Sequence, residues 1–356
     1  MKILFLVPYP IGQSPSQRFR FEQYFAFLSQ KGIEHKVKSF LEPDNWKVFY
    51  KRGSVFLKAT AIIGGFAKRF ILFSEITDYD FVFIHREVAP IGPPVFEWII
   101  AKVFRKKIIY DFDDAIWLTD KKESWIEKAV RWRGKVTSVC RWSYRVSAGN
   151  IYLADYAKQF NEKVIVNPTT VDTEKVSNKN LHRFHEDGRI VIGWTGSHST
   201  LKYLKDVEQV LQHIEEKYPM VSFCVIADKT SDLQLDRLVF KPWSVDTEVS
   251  NLAEIDIGIM PLPNDEWTKG KCGFKALQYM AMEKPTVASA VGVNTSIISN
   301  GVNGLIAKDI DDWEKLLSSL IEDESLRKDL GKEGRKTVER NYSILSNTKT
   351  FLSLFE

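Results

Sequence analysis

Hydrophobic and polar positions along this chain follow two alternating rhythms. Short strand-like runs occupy residues 2–7, 35–40, 81–85, 107–111, 145–148 and 163–166, most of them apolar and 35–40 mixed. Between them apolar side chains recur three and four residues apart. Phe21, Tyr24, Phe25 and Leu28 fall at i, i+3, i+4 and i+7, with Gly32 beyond them, a pattern that predicts one amphipathic helix and its terminator. Alternating strands and helices predict a parallel sheet wrapped by helices. From Pro168 to Gly188 the pattern lapses into a polar stretch that reads as a linker. It then restarts, with apolar runs at 190–194, 221–227, 237–240, 256–260 and 286–289. The expectation is an α/β chain of two Rossmann-like domains, residues 1–170 and 171–340. Ligands of such sheets bind beyond the carboxyl ends of the strands, and a cleft between the two domains is the expected site.

Composition changes this picture only through charge. The net charge of +4 conceals 27 Lys+Arg against 17 Asp+Glu in residues 1–168 and 23 against 29 in the rest. A basic first half points to an anionic partner, and a membrane surface is as good a candidate as nucleic acid. No nucleic-acid-binding module is recognisable, so none is expected. The three cysteines lie far apart without metal spacing and fit a reducing, cytoplasmic setting. The apolar start reads as a first strand and not as a signal peptide, because Pro8 interrupts it.

Two segments of the second half carry candidate chemistry. At residues 192–202 a strand runs through Gly196, Ser197, His198 and Ser199 into a helix, with Ser199 as candidate N-cap and Lys202 in the first turns. Free N–H groups at such a turn bind anions, although an ordinary capped helix has the same pattern. At residues 269–285 a loop with Gly270 and Gly273 leads into a second helix. Lys271, Lys275 and Gln278 are spaced i, i+4, i+7 and are expected on one face, with Phe274 among the apolar positions opposite. Two anion-binding turns on one sheet suit a diphosphate.

Here the chain resembles a known family. Gly193-Trp-Thr-Gly-Ser197, Asp256-Ile-Gly-Ile-Met-Pro-Leu262, Gly273–Ala281 with Lys284-Pro285, and Gly301-Val-Asn-Gly-Leu305 together resemble the donor domain of family 4 glycosyltransferases, retaining enzymes of the GT-B fold. The closer likeness is to a branch with a lysine four residues before Tyr-Met-Ala. The first half is similar more loosely, through the glycine loop at Gly12 and Tyr110-Asp-Phe-Asp-Asp-Ala-Ile-Trp117. The resemblance implies a nucleotide-diphosphate sugar as donor and co-substrate, with no cofactor and no catalytic metal. It implies a diphosphate cradled by Gly196, Ser197 and Lys202 with Lys271, Gly273 and Lys275, and His198 and Phe274 as further donor contacts. Lys202 and Lys275 are the catalytic cations, Gly12 lies near the donor, and the ribose is held by Gln278. It also implies a final helix, residues 341–356, packing back on the first domain. The family's diphosphate arginine falls at Ser197 and is missing. Its two glutamates fall at Gly270 and Gln278 and are missing too, leaving Asp265 and Glu266 as candidates for the donor sugar. Trp243, just past a strand end, is a candidate for the base.

In the first half a family histidine near the reacting centre falls at Asp113. Within Asp111, Asp113 and Asp114, Asp113 is the catalytic candidate and Asp114 an acceptor contact. His85 and Arg86 end the neighbouring strand and are expected to line the same pocket. Arg18 and Arg20 are candidates for an anionic acceptor, a glycan or a lipid-linked diphosphate, although successive helix positions diverge by about 100°. Residues 46–75 and 125–145 mix basic, aromatic and apolar side chains, as an interfacial helix or a plain amphipathic one does. The resulting expectation is a transferase of cell-surface polysaccharide or glycoconjugate synthesis, cytoplasmic or peripheral on the inner face of the membrane. Two alternatives remain: a GT-B sugar-nucleotide epimerase and a non-catalytic sugar-nucleotide-binding subunit on a membrane.

Overall fold

Strand β1 (Lys2–Val7) presents five buried apolar residues in succession, Ile3 to Val7. A strand apolar on both faces must be covered on both, which is the situation of a central strand in a parallel sheet. β1 pairs in parallel with β2 (Glu34–Ser39) and with β3 (Phe81–His85), and β4 (Lys107–Phe112), β5 (Arg145–Ala148) and β6 (Val164–Val166) continue the sheet. The order is β2-β1-β3-β4-β5-β6. The computed structural model describes residues 1–50, 53–119, 123–176 and 188–356, so most of the polar stretch read as a linker lies outside the described residues.

A second six-stranded parallel sheet, ordered β12-β11-β10-β7-β8-β9, comprises β7 (Ile190–Gly196), β8 (Val221–Ala227), β9 (Leu238–Pro242), β10 (Ile257–Met260), β11 (Thr286–Ser289) and β12 (Leu305–Ala307). Its first strand, β7, lies between β8 and β10. That is the strand order of dinucleotide-binding sheets, whose ligand crevice opens where the order reverses. The chain divides into unit 1, Met1–Thr169 with Asn347–Glu356, and unit 2, Thr170–Ser346.

Three local readings differ from the structure. The helix expected through Phe21–Leu28 is broken into Pro15–Arg18, a 3-10 turn at Glu22–Tyr24, and Phe25–Gln30. Phe21 leaves the helical region at φ −142°, and its ring stacks on Phe5. Residues 341–356 are not one helix. Glu324–Asn341 ends there, Ser343 bridges to Val171, and Ile344–Leu352 follows. Within unit 1, Phe351 then stacks face to face on Tyr24 at 4.3 Å. Ser199 is not an N-cap. The segment after it, Leu201–Val207, is a 3-10 helix preceded by Thr200, and the Ser199 hydroxyl meets that of Ser197 at 2.8 Å.

Candidate functional site

In unit 2 the two expected segments meet at the carboxyl end of β7. A Cβ at Gly196 would lie 2.6 Å from the Trp194 ring and 2.7 Å from Lys275 Cε, so only glycine lets the lysine stem pass there. The Lys275 ammonium lies 5.3 Å from the centre of the Trp194 ring, a cation–π arrangement. One turn on, the Thr195 N–H donates to the Tyr279 hydroxyl at 2.8 Å. The Tyr279 ring packs where a side chain at Gly258 would stand. Strand β7, strand β10 and the helix Phe274–Ala281 are thereby keyed together at the reversal of strand order. Burial pushes the Tyr279 phenol well above its usual range, so it stays protonated and its oxygen remains an acceptor for Thr195.

The polar stripe is reorganised. Gly273 is the N-cap of that helix at φ +67°, so the helix starts at Phe274 and Lys271 stays in the preceding loop. The Lys271 ammonium sits over the Trp267 ring at 4.8 Å. Lys275 and Gln278 do share the helix, three residues apart. Gln278 is buried and donates to Glu248 at 3.3 Å, and the Trp243 indole donates to the same carboxylate oxygen at 3.2 Å. Phe274 is partly buried against the core around Leu277 and Met280. Beside Gly273, Asn294 is buried; its amide N–H donates to the Ser289 carbonyl at 3.1 Å. Asp265 is committed to capping Glu266–Lys269, accepting from Thr268 N–H, while Glu266 is solvent-exposed and paired with Lys269 at 2.6 Å.

At the end of β7, His198 turns toward β8. Its backbone N–H donates to Asp228 at 2.6 Å, and its ring Nδ1 lies 2.6 Å from the other oxygen of the same carboxylate. The Lys202 ammonium lies 5.2 Å from the Tyr203 ring centre. Asp228, Tyr279, Trp194 and Glu248 escaped the sequence reading. Asp228 had one usable signal, its place just past the apolar run at 221–227.

In unit 1 the strand-end residues separate into two groups. Asp111 faces inward and is fully buried, with the Arg20 guanidinium, His85 Nδ1 at 2.8 Å and the Ser147 hydroxyl at 2.6 Å on its oxygens. Burial alone would raise its pKa, but Arg20 and His85 outweigh burial and hold the carboxyl well below the usual range. Arg20 also donates to the Asn167 carbonyl. Arg20 and His85 were expected to meet an acceptor. Both side chains are instead inaccessible, because Asp111 needs them as partners, and only His85 Nε2 reaches outward, 3.4 Å from the Ser16 hydroxyl. Arg18 lies partly exposed, with its guanidinium over Phe19.

Asp113 and Asp114 face the other way, onto Arg86. Its guanidinium donates to Asp113 at 2.9 Å and to Asp114 at 2.8 Å. Arg86 has φ +60°, unusual for a residue with a side chain. The strain is offset by its N–H donating to the Asp111 carbonyl at 2.7 Å and its own carbonyl accepting from the Tyr110 hydroxyl at 2.8 Å. Burial opposes the Arg86 charge, but the two carboxylates hold its pKa up. Gly12 was expected near the donor. Its N–H is engaged by Glu22 at 2.9 Å, and Gln17 bridges the same carboxylate to the backbone of Tyr9. As placed, the Gly12 amide is occupied inside unit 1.

Residues 189–323 match the family model of group 1 glycosyl transferases. Trehalose synthases of Thermococcus litoralis and Pyrococcus furiosus are each 23% identical over 217 residues, 54% of this chain and 53% of theirs. The chain thus spans about half the length of these curated relatives. Over the whole fold, HepE of Anabaena, solved with UDP and glucose, superposes with a TM-score of 0.68 at 15% identity, covering 99% of this chain and 98% of that one. Sucrose-phosphate synthase of Thermosynechococcus elongatus gives 0.67 at 12% identity, covering 100% and 98%. The fold is GT-B, two Rossmann-like domains, and the stretch that matches the group 1 glycosyl transferase model lies within unit 2.

Proposed function

We propose that this GT-B chain transfers a sugar from a nucleoside-diphosphate donor to a glycan or lipid-linked acceptor, with retention of anomeric configuration. The observation that carries the reading is Lys275, brought beside Gly196 at the end of β7, where the order of the unit 2 sheet reverses. A cation there offsets the charge that develops on the departing diphosphate, which is the main electrostatic demand of the reaction. His198, held by Asp228, stands one residue past the position where the family arginine is missing and is proposed to supply a donor to the same phosphates. Lys202 and Lys271 add positive charge to the flanking loops. Gln278, oriented by Glu248, is proposed for the ribose, with Trp243 beside it. In unit 1, Asp113 is proposed to orient the acceptor hydroxyl, and Arg86 positions Asp113.

HepE was solved with UDP-glucose as well as with UDP, which makes UDP-sugars the first donors to try. A ligand that binds only the folded state raises its melting temperature. The purified chain is therefore expected to show a thermal shift with one class among UDP-, GDP- and ADP-sugars, and Lys275→Ala is expected to abolish it. An unchanged shift in Lys275→Ala would remove the diphosphate from this site. The absence of both family glutamates favours a second reading, a sugar-nucleotide-binding subunit without turnover. Acceptor-dependent release of nucleoside diphosphate distinguishes the two, and conversion of the donor to another sugar nucleotide without acceptor would point to the epimerase.

A further inference from the structure

The helix Val55–Ile71 of unit 1 is built inside out. Its inward face consists of Ala61, Gly65 and Arg69, spaced i, i+4, i+8, all buried. Gly65 is required there because the Phe40 ring occupies the space of a side chain. Arg69 reaches past the ends of three strands and donates to the carbonyls of Val7 at 3.0 Å, Lys38 at 3.0 Å and Val88 at 2.9 Å. The helix is thus anchored through small residues and a buried guanidinium. Phe66 packs inward on Phe40 and Phe96, but a second apolar stripe points outward: Phe56, Ile63 and Phe70 are 77%, 67% and 63% exposed, with Thr60 and Ala67 between them. No charged residue lies on that stripe. A soluble amphipathic helix has the opposite arrangement.

The apolar surface continues onto neighbouring elements. The Phe70 ring lies 5.1 Å from that of Phe96, in the short helix Val95–Trp98, whose Val95 and Trp98 are exposed. The loop before it is tied to a third helix, Trp125–Arg131, by Gly92 N–H donating to the Val130 carbonyl at 2.7 Å. That third helix has no buried residue at all, and Trp125 is 78% exposed. Seven residues without tertiary packing are short for a helix standing in water. Its capping box, Ser124 with Glu127, holds one end, and its apolar side chains face outward.

We infer that this surface docks on an anionic lipid bilayer. Charge decides the occupant. Among the described residues of 46–75 and 121–135, Lys58, Lys68, Lys128, Arg131 and Arg133 stay accessible beside the patch against Glu75, Glu123 and Glu127, while Arg69 and Lys135 are buried. A second copy of the chain using the same patch would set basic surface against basic surface. Anionic headgroups complement it, while Phe and Trp enter the boundary of the acyl region. Among the described residues no helix is long and apolar enough to cross a membrane, so the contact lies in the membrane plane. It brings unit 1 to a lipid-linked acceptor but does not depend on the donor assignment.

The test is sedimentation of the full chain with vesicles of phosphatidylcholine alone or mixed with phosphatidylglycerol. Binding is expected with the mixed vesicles, weakening as salt is raised, and the triple variant Phe56→Ser, Ile63→Ser, Phe70→Ser should lower the partition at least about tenfold. The variant should keep the wild-type melting temperature and the donor-induced shift, which separates loss of docking from misfolding and from failure of the donor site. No binding to mixed vesicles would overturn the inference. So would a dimer in solution that the triple variant converts to monomer, because the patch would then be a protein interface.

Discussion

At the scale of single residues, the Arg20–Asp111 pair makes the clearest demand. Both side chains are fully buried, so removing one leaves an uncompensated charge in a low-dielectric interior. Arg20→Ala is expected to destabilise the fold by about 3–5 kcal/mol, read from urea denaturation. The pH dependence follows from Asp111, whose carboxyl is more acidic folded than unfolded. The unfolded chain then binds the proton more readily, so this stabilisation is complete above an ordinary aspartate's value of about 4 and is lost as pH falls below it. Asp111→Asn should flatten that acid limb of the stability profile. A second prediction concerns His198: Asp228→Ala is expected to weaken donor binding about tenfold, the loss of ~1.4 kcal/mol that a single hydrogen bond represents, measured by calorimetry. Spacing along the chain made Lys275 and Gly196 legible as candidates, Gly196 because it follows an apolar run and Lys275 because it falls at helical spacing with Gln278. It left Arg20 and His85 misread, because nothing in the neighbouring residues tells whether a polar side chain at a strand end turns toward solvent or toward a buried carboxylate from another strand.

At the scale of elements, the helix Phe274–Ala281 depends on how it begins. Gly273 holds a left-handed conformation, and Ile297 and Val293 occupy the space that a Cβ would take. A Cβ there costs about 1–2 kcal/mol for the backbone alone and also pushes on Ile297. Gly273→Ala is therefore expected to lower the melting temperature and to weaken the donor-induced shift by moving Lys275. Gly196→Ala has a different outcome. Its φ is ordinary, but its Cβ meets Trp194 and Lys275, so donor binding should fall more than stability does. The strand–helix alternation was legible because burial on both faces of a parallel strand leaves a continuous apolar run. The lysine stripe was legible only in part, since the periodicity argument carried the helix back through Gly273, where positive φ ends it.

At the scale of the whole molecule, the chain finishes in the unit in which it started. Asn347–Glu356 completes unit 1, with Phe351 stacked on Tyr24, Phe355 near Phe81, and the Tyr144 hydroxyl donating to the Glu356 carbonyl at 2.8 Å. Phe351→Ala is expected to cost unit 1 about 3–5 kcal/mol, the range for truncating a buried phenylalanine. Hydrogen exchange should report the loss in the β1 to β6 sheet and leave β7 to β12 protected. Sequence by itself determined two doubly wound sheets, the basic character of the first half and the glycine turns at the strand ends, because each is written in local periodicity, composition or backbone permission. Tertiary structure alone decided which polar groups are consumed internally, Arg20 by Asp111 and Gly12 by Glu22, and which are oriented, His198 by Asp228. It also turned an apolar stripe of Val55–Ile71 outward. The reason is topological. Partners tens of residues apart meet only after the sheet order is set, and a helix's inward face is chosen by the small residues and the one guanidinium that fit against it, not by its most hydrophobic side.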